Sequence, residues 1–566
     1  MAHEFIYSEI HKAEKLAEHT QNNKEKQYES IKQTILADQT FTSDERSHAI
    51  KLINKKIDKY KVRENKGTRR TCEICQGKCL ATLYCEYCVR NYLIAQFSNW
   101  TSENDNIDNL IRECQMETLK PDNIIEWIPY NNLRSINYLT DCSKIYKAIW
   151  IDGYYDEWDS KENQLKRIGY SPDVVLKKLE NVEKANKNWI DEAKSYLNIC
   201  SKYGEILTCY GLTKDPSDGN YMLVMNKSHM NLREYLKRKH NEITWRERIH
   251  ITDDLTFALS KIHKNGVIHK NLHSGNVLFN QRNKQFYITD LGFRGPADRP
   301  SNSIYGNLPY IAPEIISGKE ITFASDIYSI GILMWEISFG KPPFIYQEDE
   351  LFLAMNIING IRPKIESGIP LEYKKLMMQC WDADPKRRPN IGVLNNKIFE
   401  MRKHCQNISN DSNSNNSKNE SMIKKFIKKL KVFQPKTNDI LEISEISNLN
   451  ETDYKLFTSK VYAFEDFPEP RNGTEEEQEE FHNQSYNFSN SNNADDNIVK
   501  MMQSSSIFKG SSKVPQIYSN EDIQVDYKRE TIQQTKNVDI KDEHELYSNP
   551  NLHSEDQDEL EIPWII

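Results

Sequence analysis

The chain has 566 residues, 38% of them hydrophobic and 28% charged, with a mean hydropathy of −0.75, so it is long enough for two or three domains but too polar to fold throughout. No apolar run approaches the roughly 20 residues of a spanning helix, and the N-terminus lacks a basic region followed by an apolar block, which argues against a membrane-spanning or secreted protein. With only 20 glycines and no repeat at a period of roughly 20 to 50 residues, collagen, solenoids and propellers are excluded as well. The net charge of −8 is unevenly spread, because residues 406–566 hold 17 Lys+Arg against 30 Asp+Glu and leave the remainder at +5. Of 11 cysteines, five lie between Cys72 and Cys88, too few and too clustered for a disulfide scaffold, and a reducing compartment is expected: the cytoplasm, or alternatively the nucleus.

Residues 1–66 are polar with two stretches of helical period. In the second, Thr42 and Glu45 make a capping box, after which Ile50, Ile53, Ile57 and Tyr60 recur at three- and four-residue steps. A helical hairpin or docking arm is predicted, with a solvated spacer helix as the alternative. Within 67–95, Cys72-x2-Cys75 and Cys85-x2-Cys88 place four thiolates as a tetrahedral zinc ion requires, and Cys79 is a fifth thiol able to stand in for Cys75. Such a closed site is structural, having no open position for chemistry. The basic flank Lys61, Arg63, Lys66, Arg69 and Arg70 raises nucleic-acid binding, but only two aromatics, Tyr84 and Tyr87, lie within the cysteine run 72–88, and nucleic acid is the disfavoured partner.

Residues 96–129 read as a connector. From 130 to 404 strand-like segments come first and helical periods follow, an α+β arrangement. Residues 405–566 begin with an Asn/Ser-rich linker and continue as an acidic tail for which no structure is expected. Within it, 421–433 forms a basic amphipathic pattern: Met422, Phe426, Leu430 and Phe433 fall on one helical face and five lysines on the other. An anionic membrane or a calmodulin-like groove would suit it, and packing or disorder is the alternative.

The middle region resembles the eukaryotic protein kinase superfamily, in its tyrosine-kinase-like branch, through motifs in the expected order. VIHKNLHSGNVLF (267–279) stands where that family has its catalytic loop, Asp290-Leu291-Gly292 where it has D-F-G, and Ala312-Pro313-Glu314 matches A-P-E. Asp326 resembles the buried aspartate that supports the catalytic loop, and Arg388 the arginine that pairs with Glu314. The resemblance implies a two-lobed fold binding ATP with Mg. Lys177, in VVLKKLEN, would contact the nucleotide phosphates, Glu192 would hold that lysine, Met225 would stand at or beside the gatekeeper position, and Asn276 and Asp290 would bind magnesium.

The departures from that pattern carry the functional reading. Tyr138, Thr140 and Ser143 occupy the three glycine positions of the phosphate-covering lid, where side chains obstruct close backbone approach. Asn271 stands in place of the catalytic aspartate; an amide can orient a hydroxyl but cannot accept its proton. Ser301, Ser303 and Tyr305 are the acceptors offered by the activation segment, and Asn307 replaces a threonine common there. The expected function is a pseudokinase that binds ATP weakly and regulates or scaffolds other kinases and signalling proteins. The alternatives are an active serine/threonine or tyrosine kinase with atypical loops, and a zinc-dependent nucleic-acid binder.

Overall fold

A computed structural model describes residues 6, 9, 10, 13, 17, 24–140, 145–179, 181–185, 187–228, 230–281, 283–291, 303–345, 347, 349–411, 459–488 and 516–518. The chain divides into two compact units, Met1–Ile517 and Tyr518–Ile566; apart from Tyr518, the described residues belong to the first. The basic segment 421–433 lies outside the described residues.

Helices α1 (Lys24–Ala37) and α2 (Ser43–Glu64) form the hairpin that the periodicity predicts, with Ile31, Ile35, Phe41, Ala49 and Ile53 buried together. The capping box is made in full: Thr42 Oγ1 accepts from the Glu45 N–H at 3.3 Å, and Glu45 accepts from the Thr42 N–H at 3.0 Å. α2 also carries a residue that its apolar pattern hides. Asp58 is completely buried, and its carboxylate accepts from the Thr82 N–H and hydroxyl and from the Leu83 N–H, at 2.6 to 2.8 Å, tying α2 to the cysteine module.

In that module the two-residue strands β1 (Arg70–Thr71) and β2 (Lys78–Cys79) pair, and helix α3 (Glu86–Ala95) starts directly after Cys85. Two residues of the basic flank bond within the module and its approach: Arg70 donates to the carbonyls of Ala81 and Tyr84, and Arg69 to Asn65 and the Lys78 carbonyl. The connector forms α4 (Asp105–Met116), capped by Asn104, with Ile107, Leu110, Ile111 and Cys114 buried on one face.

The small lobe is a six-stranded sheet. β3 (Glu126–Trp127) runs parallel to β9 (Cys209–Lys214), and β10 (Tyr221–Asn226), β8 (Asp173–Lys178), β5 (Ile145–Trp150) and β4 (Leu133–Thr140) follow antiparallel across it. β3 approaches closely enough that a Cβ on Gly211 (φ +152°) would stand 1.8 Å from the Glu126 carbonyl oxygen, so only glycine fits. The hairpin β6 (Tyr155–Asp159) and β7 (Gln164–Arg167) is inserted between β5 and β8 and leaves the sheet for the cysteine module, where Trp158 packs on the cysteines. Lys51 and Lys55 of α2 pair with Asp156 and Glu157 of this hairpin. Helix α5 (Lys187–Lys202) buries Trp189, Ala193, Tyr196 and Leu197 in the same core as the apolar face of α4.

The large lobe is helical. β11 (Met230–Asn231) leads into α6 (Leu232–Lys239) and α7 (Trp245–Lys264), and pairs with β12 (Val277–Asn280), which pairs with β13 (Gln285–Ile288), in a small sheet. Farther along, β14 (Ile304–Gly306) lies in the activation segment, and Pro313–Ile316 makes a single turn, α8. α9 (Phe323–Phe339) is apolar on every side and buried from Ser325 to Ser338, the mark of a central core helix. α10 (Glu350–Ile358) packs on α8, while α11 (Leu371–Cys380) packs on α9 and α12 (Ile391–Asp411) on α7.

One expectation is corrected. Within the tail expected to lack structure, residues 459–488 form β15 (Lys460–Glu465) and α13 (Glu475–Phe488), and β15 pairs antiparallel with β14. Taken alone, this stretch is too polar to fold; its order comes from burying Val461 and Tyr462 against a lobe that already exists.

Candidate active site

The catalytic loop is fixed by one buried carboxylate. Asp326 of α9 accepts the backbone N–H of His269 at 2.7 Å and of Lys270 at 2.9 Å, and His263 Nε2 lies 2.8 Å away. His269 is fully buried, with Nε2 2.9 Å from the Thr289 carbonyl and Nδ1 accepting the Asn271 N–H at 3.3 Å. Lys270 and Asp290 adopt positive φ, +67° and +64°. That conformation is uncommon for non-glycine residues and persists only where the surroundings enforce it, as the paired loop backbone does here.

The strand register sets the cleft. Lys177 on β8 is opposite Leu223, and Val175 opposite Met225, so by alternation these four side chains share one face of the sheet, the face that carries α5. Lys177 Nζ reaches Asp290 Oδ1 at 2.8 Å. Glu192 on α5 was expected at Lys177; its carboxylate lies 2.6 Å from Lys270 Nζ, so the structure gives each residue a different ionic partner. Asn276 donates through Nδ2 to the Asn271 carbonyl at 2.9 Å, which keeps its Oδ1 as the atom suited to a cation. Asp290, Asn276 and Lys177 thus offer two oxygen ligands and one phosphate partner, a set that fits Mg-ATP.

The lid region is a β-hairpin arm. Tyr138 and Thr140 lie on β4 opposite Tyr146 and Ile145, and the ring of Tyr138, largely exposed, meets Tyr146 edge-on at 5.0 Å. Ser143 lies outside the described residues. Behind the groove, Arg388 grips Glu314 with two bonds of 2.7 Å, as the resemblance implies, and also donates to the carbonyls of Asp382 and Ala324.

Two groups escaped sequence reasoning. His273, two residues after Asn271, is buried, and burial, then the charges of Arg233, His269 and Lys177, hold its pKa well below the ordinary histidine value. Its position inside the catalytic-loop segment could have flagged it. Ser459 could not have been found by pattern: its Oγ lies 3.2 Å from Asn271 Oδ1 and 3.0 Å from His273 Nε2, across 188 and 186 positions of sequence.

In the second site, the sulfurs of Cys72, Cys75, Cys85 and Cys88 all lie within 4.8 Å of one another, with Cys72–Cys88 and Cys75–Cys85 at 3.6 Å. A zinc tetrahedron with bonds of about 2.3 Å has edges of about 3.8 Å, so the cluster fits that ion with little movement. Cys79 instead donates to the Arg70 carbonyl at 3.7 Å.

A sheet-rich small lobe, a helical large lobe and a loop of His269, Asn271 and Asn276 facing Asp290 and Lys177 define a protein-kinase domain. The comparisons agree: residues 143–398 match the family described as protein tyrosine and serine/threonine kinase, and this region of the chain belongs to the protein kinase superfamily. The chain is similar to the dual specificity protein kinase zakA of Dictyostelium discoideum, at 28% identity over 36% of this chain and 27% of the relative. It is also similar to the dual serine/threonine and tyrosine protein kinases of Pimephales promelas, at 29% over 40% of this chain and 26% of the relative, and of Homo sapiens, at 31% over 37% and 23%. The chain therefore spans about a quarter of the length of the curated relatives it matches.

Proposed function

We propose that this kinase-domain protein is a pseudokinase: its cleft takes Mg-ATP weakly, transfers phosphate poorly, and serves as a regulated scaffold for other signalling proteins or kinases. The observation that carries this reading is the contact of Asn271 with a hydroxyl. Ser459 brings an alcohol to the place where an acceptor would stand, and the group that meets it is an amide oxygen, which holds a proton donor in place but has no appreciable basicity. The Lys177–Asp290 pair supports weak nucleotide binding, since the groups suited to phosphate and cation are engaged with each other and must separate to admit the ligand. A structural zinc ion in the four-cysteine cluster belongs to the same proposal.

The names of the relatives favour a second reading, an active kinase acting on serine, threonine and tyrosine, in which positioning compensates for the missing base. Phosphotransfer assays on the full chain and on Asn271→Asp, scored on the chain's own hydroxyls and on added peptides, separate the two. Loss of a general base typically costs about 10²- to 10⁴-fold, so the unmodified chain should not exceed Lys177→Met, while Asn271→Asp should recover part of the rate. Mg-ATP should raise the melting temperature slightly, and Lys177→Met should remove that rise. Robust transfer by the unmodified chain, abolished by Lys177→Met or Asp290→Asn, would establish the active-kinase reading instead.

A further inference from the structure

The segment that begins at Ser459 runs across the large lobe in an extended form and is held at several independent points. β15 adds to β14 with Lys460 opposite Gly306, Val461 opposite Tyr305 and Tyr462 opposite Ile304. Lys460 and Tyr462, two apart and so on one face of the strand, both reach Glu350 of α10, at 2.8 and 3.2 Å, and Tyr462 is only 1% exposed. Farther on, the chain passes Gly360 (φ +90°) so closely that a Cβ there would lie 2.0 Å from the Gly473 nitrogen. A chance graze of a polar tail would not require a glycine beneath it.

The hydrogen bonds at the head of this strand have a definite direction. His273 is neutral, and its Nδ1 accepts the Gly275 N–H at 3.1 Å, so the ring proton sits on Nε2 and is donated to Ser459 Oγ. The Ser459 hydroxyl is thereby left to donate to Asn271 Oδ1. Its oxygen points at a donor and its proton at an amide, the pose of an acceptor hydroxyl held without being deprotonated.

We propose that Ser459–Glu465 is a tethered occupant of the groove between the catalytic loop and β14, which keeps the Ser459 hydroxyl in the acceptor position and closes the groove to other extended peptides. The same contacts define what the groove accepts when the tether leaves: a strand with a hydroxyl residue, a basic residue next to it for Glu350, and an aromatic residue two beyond that for the site of Tyr462. The inference deepens the reading of the same cleft, sharing with it the contact of Ser459 with Asn271, and its test needs no catalysis: its failure would show in amide exchange and peptide binding, that of the pseudokinase reading in phosphotransfer.

The test uses the full chain with two readouts, amide hydrogen exchange at 304–306 and 460–465, and binding of a labelled synthetic peptide with the sequence of residues 457–467. In the unmodified chain the β15 amides should be protected and the peptide should bind poorly. Emptying a buried aromatic site is severe, so Tyr462→Ala should speed exchange of these amides by about 100-fold or more and open the groove to the peptide, with the main melting transition retained. Lys460→Glu should also release the strand, and adding Glu350→Lys should restore its protection by exchanging the charges. Unprotected β15 amides in the unmodified chain, or equal peptide binding by the unmodified chain and Tyr462→Ala, would overturn the proposal. So would charge reversals that fail to compensate.

Discussion

Replacing Arg388 by methionine should be among the most damaging single changes in the large lobe. The guanidinium and the Glu314 carboxylate have side-chain exposures of 0% and 5%, and the two bonds between them are both 2.7 Å. Removing the arginine strands a buried carboxylate and also deprives the Asp382 and Ala324 carbonyls of their donor. Breaking such a pair from one side costs about 3–5 kcal/mol, which for a domain of this size corresponds to a fall in melting temperature of roughly 6–20 °C. Removing both partners together is a different perturbation, because no charge is left behind. Arg388→Met combined with Glu314→Leu should therefore be more stable than Arg388→Met alone, although it carries one substitution more. The assay is thermal or urea unfolding of the four chains of the double-mutant cycle. If Arg388→Met melts within about 2 °C of the unmodified protein, or if the double variant loses the sum of the two single losses, the buried-pair argument is wrong.

Two further outcomes follow from sites away from the cleft. Protein prepared without chelator should carry close to one equivalent of zinc, and Cys85→Ser or chelation should change the tryptophan emission because Trp158 packs on the cysteines; a Trp158→Phe chain should lack most of that change, and absence of metal would remove the site. His240 is taken down to about 4, first by burial and then by the charges of Arg248 and Lys341, so between pH 6.5 and 4 only the unfolded chain takes up its proton and stability falls as pH falls. His240→Gln should flatten that slope, by about 1–2 kcal/mol at pH 5 in unfolding experiments, and an unchanged slope would show that the ring is not the titrating group.

Much of the domain was legible in the chain because each motif is short and local. Thr42 and Glu45 three residues apart announce a helix start, and four cysteines at paired spacing announce a convergent cluster. His269, Asn271, Asn276, Asp290, Glu314 and Arg388 could be placed by order alone, since the fold that spaces them is specified by the alternating and helical periods between them. What the chain could not show is which partner each charged group takes. Lys177, Glu192, Lys270 and Asp290 are four charges brought together from four segments, and their pairing as Lys177–Asp290 and Glu192–Lys270 is a matter of ångströms set by how α5 and the catalytic loop pack. Nor does a run as polar as 459–488 specify its own conformation. Its strand and helix exist because β14 offers an open edge and the lobe offers a place for Tyr462, so their order is a property of the surface they meet. The identities of the side chains that line the cleft could be read from sequence, whereas the segment that meets Asn271 was decided by tertiary structure, because a hydrogen bond between Ser459 and Asn271 spans 188 positions and has no local signature.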